Sequence, residues 1–527
     1  MKHLEAAPKS TKKPIWLILV AACAFLFTTC RPPLGPRVHT AETIYVGYHD
    51  RAHSQTKYLG IPYALPPVGP LRFRPPLAHN LSHTVIAHSF DGGAFINGST
   101  QKYPADGLVE ASIELGKPVI VASMNYRLGM FGFPVGAEPS ASGAHNLGLL
   151  DQRLALEWIH ANIAHFGGDP EKITIFGESA GSVSVGAQMS YRGGNTGGIF
   201  RAAIMQSGTP STMATSILSP RTRQETYDSI ARSLGCPTGG VTDDELRESF
   251  DCVRRADTMD LQRAEWKVLE IPDRLKATDP APIAFAPSIH PDDPFFFDGP
   301  DRMAENHAFA NVPLIIGGTL DEGTDFVPSL RDSRALKSYF FTTRPGLTFG
   351  VETDAARAAF DKFLSMYPDD PAAGSPFGTG NETWGKGRAT KRGAAIFGDW
   401  LFEAPRRKFT REAVKAGLPV WSYQYSQPGY WPSEFGVGHF ADVQMIFRWF
   451  DEHTEPEMVG LSDLVLSFWL NFVYYLDPSP KGSRLPEWPQ YGSGQSLQLK
   501  IRNFTLIDDD FRAESIEWLM KEKELYI

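Results

Sequence analysis

The stretch that decides the fold is Ile173-Thr-Ile-Phe-Gly-Glu-Ser-Ala-Gly-Ser182, in which β-favouring residues run directly into a serine held between glycines. Two interpretations fit it. The first is a tight turn that needs small residues. The second is the G-x-S-x-G motif, in which a strained strand-to-helix turn lifts a nucleophilic serine above the edge of a parallel sheet. Because short motifs match by chance, the rest of the chain must distinguish the two interpretations.

Composition places the chain among folded globular proteins and opposes one class of partner. Its 527 residues are 42% hydrophobic and 21% charged, enough for a large core. The formal net charge is −9 and the isoelectric point is near 5.9. A nucleic-acid-binding protein usually carries a basic stripe, so we expect no nucleic-acid partner.

The N-terminus has the pattern of a targeting segment. Several lysines precede an apolar run at residues 14–27, which has the length of a signal-peptide core and is short for a membrane span. We expect residues 1–30 to be a signal peptide or signal anchor, residues 38–527 to be the folded domain, and the chain to be secreted. We expect no stable membrane partner beyond that anchor. N-x-S/T sequons, typical of secreted proteins, stand at Asn80, Asn97, Asn381 and Asn503.

The cysteines predict a disulfide and no metal site. Cys23 and Cys30 lie in or beside the targeting segment, whereas Cys236 and Cys252 are separated by a polar stretch that could close a short surface loop. We favour a disulfide between Cys236 and Cys252, with two free thiols as the alternative. Cysteine and histidine spacings match no zinc motif, so we expect neither a metal nor another cofactor.

Hydrophobic patterning predicts alternating strands and helices from residue 117 onward. Short apolar runs suit buried parallel strands, helical spacing marks the segments between them, and Gly167-Gly168 ends the first helix. The predicted strands are 118–123, 173–176, 200–205 and 312–316, and the predicted helices are 151–164 and 182–189. This order is typical of an α/β fold with a mostly parallel sheet and helices on both faces, the setting that the motif requires. Weakly periodic residues 210–310 and 325–390 are expected to form insertions over the active-site face.

A serine nucleophile needs a base, and the base needs an orienting acid. Enzymes with this motif carry them in the order serine, acid, histidine. Of the 14 histidines, only His439 and His453 follow the acidic pair Asp321-Glu322. His453 lies in an acidic segment typical of solvated surface, whereas His439 lies in a glycine-flanked loop. A histidine satisfied by a backbone carbonyl is the alternative for His439.

The acid and the oxyanion donors are less sharply defined by pattern. Asp321 and Glu322 end a predicted strand in a turn, and the pattern does not separate them from each other or from a turn without a catalytic role. An oxyanion hole needs backbone N–H groups, one of which would come from Ala180. A glycine-rich loop at residues 91–95 could supply the others, because small residues let the backbone approach a substrate.

Several longer blocks in this chain resemble the type-B carboxylesterases, the group that contains cholinesterases and large secreted fungal lipases. They occur in the family's order and span most of the chain: Leu59-Gly-Ile-Pro-Tyr-Ala-Leu-Pro-Pro-Val-Gly-Pro-Leu-Arg-Phe73, Met124-Asn-Tyr-Arg-Leu-Gly-Met-Phe-Gly-Phe133, Asn146-Leu-Gly-Leu-Leu-Asp-Gln152, Asn162-Ile-Ala-His-Phe-Gly-Gly-Asp-Pro170 and Gly177-Glu-Ser-Ala-Gly181.

The resemblance implies an α/β-hydrolase fold and assigns roles that pattern alone left open. It implies Ser179 as nucleophile, Glu322 rather than Asp321 as acid, and His439 as base. The remaining implied features are Gly93, Ala94 and Ala180 as oxyanion donors, the Cys236–Cys252 disulfide, and Gln206-Ser-Gly208 as a supporting strand end.

One departure from the family pattern stands before the oxyanion loop. The family has a long segment there, with a disulfide-closed lid and a core strand, whereas in this chain only residues 77–90 stand between Arg72-Phe-Arg-Pro-Pro76 and the loop. Thr84-Val-Ile-Ala87 is a poor replacement for the strand, so the N-terminal strands are expected to be incomplete. Loss of this segment opposes a true cholinesterase and removes the basis for lid-dependent lipase behaviour.

The sequence therefore predicts a secreted serine ester hydrolase acting on small-molecule or lipid esters through an acyl-enzyme. Two alternatives remain: a catalytically impaired or truncated member of the family, and a cholinesterase-like binding domain without catalysis.

Overall fold

The computed structural model describes residues 35–41, 43–78, 93–213, 220–269, 285–341, 354–429, 432–500 and 503–521. The expected targeting segment at residues 1–30 and the strand candidate Thr84-Val-Ile-Ala87 lie outside these ranges.

Ten strands form one central sheet and two small hairpin sheets in the described chain. The hairpins are antiparallel and pair β1 with β2 and β3 with β4. The central sheet has the order β10-β9-β8-β7-β6-β5, in which only the β9–β10 pair is antiparallel. The strands are β1 Arg37–His39, β2 Ile44–Val46, β3 Tyr48–Asp50, β4 Gln55–Lys57, β5 Thr174–Glu178, β6 Ala202–Gln206, β7 Leu314–Thr319, β8 Val420–Tyr425, β9 Gln495–Lys500 and β10 Asn503–Asp508. The prediction of a mostly parallel sheet is confirmed.

Helices connect and cover these strands, many of them in the long insertions between β6 and β8. The α-helices are α1 Asp106–Glu114, α2 Gly129–Gly132, α3 Ala137–Ala141, α4 Leu147–Asn162, α5 Ala180–Ser190, α6 Pro210–Met213, α7 Pro220–Ser233, α8 Asp243–Arg255, α9 Thr258–Leu269, α10 Pro300–Glu305, α11 Ser333–Phe341, α12 Asp354–Ser365, α13 Thr390–Gly398, α14 Ala404–Lys415, α15 Val443–Phe447, α16 Pro456–Tyr475 and α17 Ala513–Lys521. A π-helical turn, Asp399–Glu403, joins α13 to α14.

Alternate residues of the central strands pack on opposite faces of the sheet, as the two-residue period of a strand requires. On β6, Ala203 and Met205 pack in one cluster with residues of α4, α5 and α14. Ala202 and Ile204 pack in a second cluster with residues of α1, α15 and α16. Helices therefore cover both faces, and all five residues of β6 are buried. Helix α16 is long and apolar enough to cross a membrane by length and composition, and here Leu461, Val465 and Phe468 are buried in the second cluster.

The insertions form a third buried cluster that includes Ala180 at the nucleophile turn. It combines residues of α2, α4 and α5 with residues of α7–α9 and α11–α13, and Phe95, Phe340 and Trp400 are buried in it. The Cys236–Cys252 disulfide is present and links the segment after α7 to α8, with the two Cα atoms 5.7 Å apart. Helices from the insertions thus share a buried cluster with Ala180, the residue after Ser179.

The sequence pattern predicted the strands β5, β6 and β7 correctly but failed at the edge of the sheet beside β5. Strand 173–176 is β5 and strands 200–205 and 312–316 are β6 and β7, while helix 151–164 begins earlier, as α4. The prediction of a strand at 118–123 is wrong for the described chain, because these residues pair with no other strand. A β-strand exists only by pairing, and a cavity separates this segment from β5.

Candidate active site

The serine of the opening stretch occupies a strained turn between β5 and α5. Ser179 has φ 55° and ψ −121°, a conformation that is costly for a residue with a Cβ atom. Its N–H donates to the carbonyl of Gln206 at 2.9 Å, which ties the turn to the end of β6. A Cβ atom at Gly177 would lie 2.5 Å from the backbone of Gly181, so glycine is needed at position 177 for the close crossing. This geometry matches the nucleophile turn and not an ordinary loop.

The buried Glu322, which follows β7, holds His439, which follows the neighbouring strand β8. The Glu322 Oε2 atom lies 2.6 Å from His439 Nδ1. The other oxygen, Oε1, accepts from the Ser207 hydroxyl at 2.7 Å and from the Thr319 N–H at 2.7 Å. These donors fix the carboxylate, and the carboxylate in turn fixes the orientation of the imidazole. Ser207 belongs to the Gln206-Ser-Gly208 strand end that was expected to support the site.

Asp321 has a different position, although its sequence context resembles that of Glu322. Its side chain accepts from the Ser375 hydroxyl at 2.7 Å and from the N–H groups of Phe377 and Val437 at 2.9 Å each. It therefore joins three loops around the site and makes no contact with the imidazole of His439. The structure thus distinguishes two carboxylates that pattern alone could not separate.

The second nitrogen of His439 faces the nucleophile turn. His439 Nε2 lies 3.2 Å from Glu178 Oε1, and Glu178 is the residue directly before Ser179. Among the described residues, neither His439 Nε2 nor the Ser179 hydroxyl makes a hydrogen bond. Catalytic hydrogen bonds are often long before substrate binds, so this arrangement is compatible with a serine–histidine pair. The rings of Phe326 and Phe402 pack against the imidazole, with centroids 5.1 and 4.7 Å away.

Acidic groups surround the imidazole and set its protonation. Burial alone lowers the pKa of His439, but the charges of Glu178 and Glu322 outweigh burial and raise it to about 9. Burial raises the pKa of Glu178 to about 8, and burial raises the pKa of Asp325 to about 6. The imidazolium is therefore stabilised strongly, as a base that must carry a proton during the reaction requires.

The predicted oxyanion residues lie in two tight turns. Gly93, Ala94 and Phe95 have successive positive φ values of 115°, 55° and 63°. A Cβ atom on Gly93 would lie 2.3 Å from the Asn97 carbonyl oxygen, so glycine is required there. Ala180 is the first residue of α5, where backbone N–H groups have no partner within the helix. The N–H groups of Gly93, Ala94 and Ala180 have no acceptor within the described residues, which leaves them available to a ligand.

Sequence reasoning missed three acidic residues around the histidine. Glu178 was treated only as part of the motif, yet it contacts Nε2. Asp325 has a buried Oδ2 without a partner in the described chain, close to Gly438, the residue before His439. Asp442 accepts from the Tyr423 hydroxyl at 2.6 Å and from Gln206 Nε2 at 3.0 Å. Acidic residues placed one or three positions from a predicted site residue were the available signal.

One further acidic cluster was checked as a metal site. Asp50, His53 and Asp106 bring potential ligand atoms within 4.8 Å of one another in the N-terminal region. The ammonium of Lys57 already pairs with both carboxylates, at 2.7 Å from Asp50 Oδ2. The cluster is therefore an ion-pair network around lysine.

Comparisons with known proteins agree with this geometry. A model of the carboxylesterase family matches residues 83–518. The chain is 35% identical over 450 residues to "Secreted lipase 1" of Botryotinia fuckeliana (strain B05.10), covering 81% of this chain and 71% of that protein. It is 34% identical over 447 residues to "Lipase 2" of Geotrichum candidum, covering 82% and 74%.

A third relative and a solved structure extend the likeness. "Lipase 4" of Diutina rugosa is 32% identical over 542 residues, covering 88% of this chain and 92% of that protein. The crystal structure of Aspergillus niger EstA superposes with a TM-score of 0.76 at 21% identity, covering 94% of this chain and 99% of that one. At that identity, the structural likeness supports the fold alone.

Proposed function

The chain belongs to the carboxylesterase family and is a carboxylic ester hydrolase, and from this premise we propose that Ser179 is its nucleophile, His439 its base and Glu322 its orienting acid. The observation that carries the proposal is the 2.6 Å contact between Glu322 Oε2 and His439 Nδ1, made beside the strained turn of Ser179. In the proposed arrangement, the Nδ1–H group of His439 donates to Glu322 Oε2, so Nε2 is the nitrogen that accepts the proton of the serine.

In the proposed acylation step, His439 Nε2 removes the hydroxyl proton of Ser179 as Oγ attacks the ester carbonyl carbon. The carbonyl oxygen becomes an oxyanion, and the N–H groups of Gly93, Ala94 and Ala180 donate to it. Collapse of the tetrahedral intermediate breaks the bond to the alcohol oxygen, which takes the proton from His439 as it leaves.

In the proposed deacylation step, a water molecule takes the place of the alcohol. His439 removes one proton from this water as its oxygen attacks the acyl carbon. The second tetrahedral intermediate collapses, the carboxylic acid leaves, and the proton returns to Ser179. Glu322 stays ionised and stabilises the imidazolium in both steps.

A fluorophosphonate probe tests the assignment directly, because it phosphonylates only an activated serine. We expect a stoichiometric adduct that mass mapping places on Ser179 in the purified, folded chain. The Ser179→Ala variant should lose labelling and at least about 10³-fold of ester hydrolysis, with an unchanged melting temperature.

Ser182→Ala is the matched control, since Ser182 lies in the same turn region but donates to the Gly208 carbonyl at 2.7 Å. Its labelling should persist. A folded wild-type chain without adduct, or with adduct on another serine, would contradict the proposal and favour the silent binding domain.

We also propose that the esters are neutral small-molecule or lipid esters and that the chain is secreted, with residues 1–30 as its signal segment and residues 38–527 as its domain. Two relatives carry "secreted" in their names, and apolar side chains dominate the cluster around Ala180. Expression of the full chain in a secreting yeast, followed by N-terminal sequencing of protein from the medium, tests the localisation. Retention of active enzyme in the cell membrane fraction would instead favour an anchor.

A further inference from the structure

The guanidinium of Arg512 contacts two segments, and each of them reaches His439 by a separate route. Arg512 is the residue directly before α17. Its Nε and Nη2 atoms donate to the two carboxylate oxygens of Asp399, at 2.7 and 2.6 Å. The same guanidinium lies over the ring of Phe377, 4.2 Å from the ring centroid. Arg512 therefore joins the C-terminal part of the chain to both Asp399 and Phe377.

The first route runs through the π-helical turn between α13 and α14. Asp399 is the first residue of this turn and is fully buried. The Ala404 N–H donates to the Asp399 carbonyl, which is the i→i+5 bond that defines a π-helical turn. Phe402, within the turn, packs against the imidazole of His439 with ring centroids 4.7 Å apart. Because an α-helical turn would point Phe402 in another direction, this contact depends on how Asp399 is held.

The second route runs through Phe377 and Asp321. The Phe377 N–H donates to Asp321 Oδ1 and the Val437 N–H donates to Asp321 Oδ2, both at 2.9 Å. Val437 stands two residues before His439, so Asp321 joins the loop of Phe377 to the loop of the histidine. Burial raises the pKa of Asp321, whereas its hydrogen bonds and the charge of Arg512 oppose that rise. Arg512 therefore acts on this route by charge as well as by packing.

The contribution of Arg512 is geometry more than neutralisation of a buried charge. The Tyr367 hydroxyl also donates to Asp399 Oδ2, at 2.6 Å, so the buried carboxylate has a partner besides Arg512. A planar guanidinium that binds a carboxylate through two bonds fixes the plane of that carboxylate, and stacking on a ring fixes the ring as well. One rigid group thus sets the position of the π-helical turn relative to Phe377.

We propose that Arg512 is a positioning residue for ester hydrolysis, which fixes the imidazole of His439 by holding Asp399 and Phe377 in place. This role presupposes the proposed functions of Ser179 and His439. Within the described chain Arg512 makes no hydrogen bond or ring contact with His439, so it acts only through the two routes. When either route loosens, His439 Nε2 is displaced from the serine hydroxyl, and a small displacement is costly for proton transfer.

Arg512→Lys tests this role, because lysine keeps the charge but cannot bind a carboxylate through two parallel bonds or stack flat on a ring. Two readouts report on the imidazole itself: the rate constant for fluorophosphonate labelling of Ser179, and the low-field proton resonance of the Nδ1–H group, assigned by its loss in His439→Gln. We expect the labelling rate constant and kcat for p-nitrophenyl butyrate to fall at least about tenfold. KM should change by less than about twofold, and the resonance should shift.

Arg153→Lys is the matched control. Arg153, on α4, also lies over a ring, with Tyr191 4.2 Å from its guanidinium, and pairs with Glu157 at 2.7 Å. No hydrogen bond, ion pair or ring contact joins these three residues to His439 in the described ranges. Both variants should melt at a lower temperature than the wild type, but Arg153→Lys should keep the wild-type kcat, labelling rate constant and resonance.

A folded Arg512→Lys variant with wild-type kcat and an unchanged resonance would overturn the proposal, and so would equal losses in the two arginine variants. A rise in KM alone would also overturn it, because the effect would then lie in substrate binding. If Arg512→Lys does not fold, Phe377→Leu decides, since it breaks the second route without removing a charge. A labelling rate constant lowered at least about threefold supports the role, and a wild-type value overturns it. A wild type that is not labelled at Ser179 would contradict the proposed function itself.

Discussion

The two edges of β5 differ sharply, although they belong to the same five residues. The inner edge pairs with β6 along its whole length and ends at the Ser179 turn. The outer edge faces a largely apolar cavity whose other wall is formed by residues 118–122, and it pairs with no strand in the described chain. The Glu322–His439 pair is built on the inner side, from the loops that follow β7 and β8.

The comparison teaches that the acid and base are assembled independently of the outer edge. Every hydrogen bond that holds Glu322 comes from residues 207, 319 and 439, all beyond β6. An incomplete outer edge is therefore compatible with an organised acid–base pair, and changes on the two sides should have very different costs.

The largest expected effect on the inner side comes from Glu322→Gln. The amide keeps the volume but loses the charge that holds the imidazole and stabilises its protonated form, so kcat/KM for p-nitrophenyl butyrate should fall about 10³- to 10⁴-fold. Steady-state kinetics measures this. Asp321→Asn is the matched neighbour and should cost stability, about 1–3 kcal/mol, with a much smaller loss of kcat/KM. A larger catalytic loss at Asp321 would reverse the assignment.

A pair of isoleucine truncations compares the core with the cavity beside the outer edge of β5. Ile315 is fully buried in the centre of β7, and Ile120, in the wall of that cavity, is 50% exposed. Ile315→Ala should lower the free energy of unfolding by about 2–5 kcal/mol. Ile120→Ala should lower it by less than about 0.5 kcal/mol, because little apolar surface is returned to water. Urea denaturation measures both, and a large loss of stability at Ile120 would show that this side chain is buried in solution.

Removing the charge opposite His439 Nε2 should shift the pH profile of catalysis. The pKa of His439 is about 9, and only its unprotonated form accepts the serine proton, so kcat/KM should rise with pH towards that value. Glu178→Gln removes a charge that raises this pKa, so the acidic limb should move to lower pH by about one unit. Rate measurements between about pH 5 and pH 10 test this expectation. An unchanged limb, or a shift to higher pH, would contradict it.

Asp325→Asn should also move the acidic limb of the pH profile to lower pH, by a smaller amount. The charge of Asp325 raises the pKa of His439 by less than the charges of Glu178 and Glu322 do. We expect the limb to move to lower pH by less than about half a unit. The same pH series measures it. A shift as large as that of Glu178→Gln would show that Asp325 lies closer to the imidazole in solution than in the structure.

The sequence predicted the inner half of this molecule well because its signals are local. The run from Ile173 to Ser182 needs a strand, a strained turn and a helix, and these are β5, the Ser179 turn and α5. The disulfide followed from cysteine spacing and compartment. The residues 118–123 failed as a strand for a physical reason, since composition records a preference for pairing but cannot supply the partner.

The sequence by itself determined the strand–turn–helix stretch around Ser179, the order of the candidate acids and histidine along the chain, and the family, since each is read from short motifs or from their order. What only the tertiary structure decided is the choice between Asp321 and Glu322, the approach of Glu178 to His439, and the open edge of β5. These depend on distances between segments more than a hundred residues apart, such as the 117-residue separation of Glu322 and His439. A local pattern carries no measure of such distances, because packing sets them.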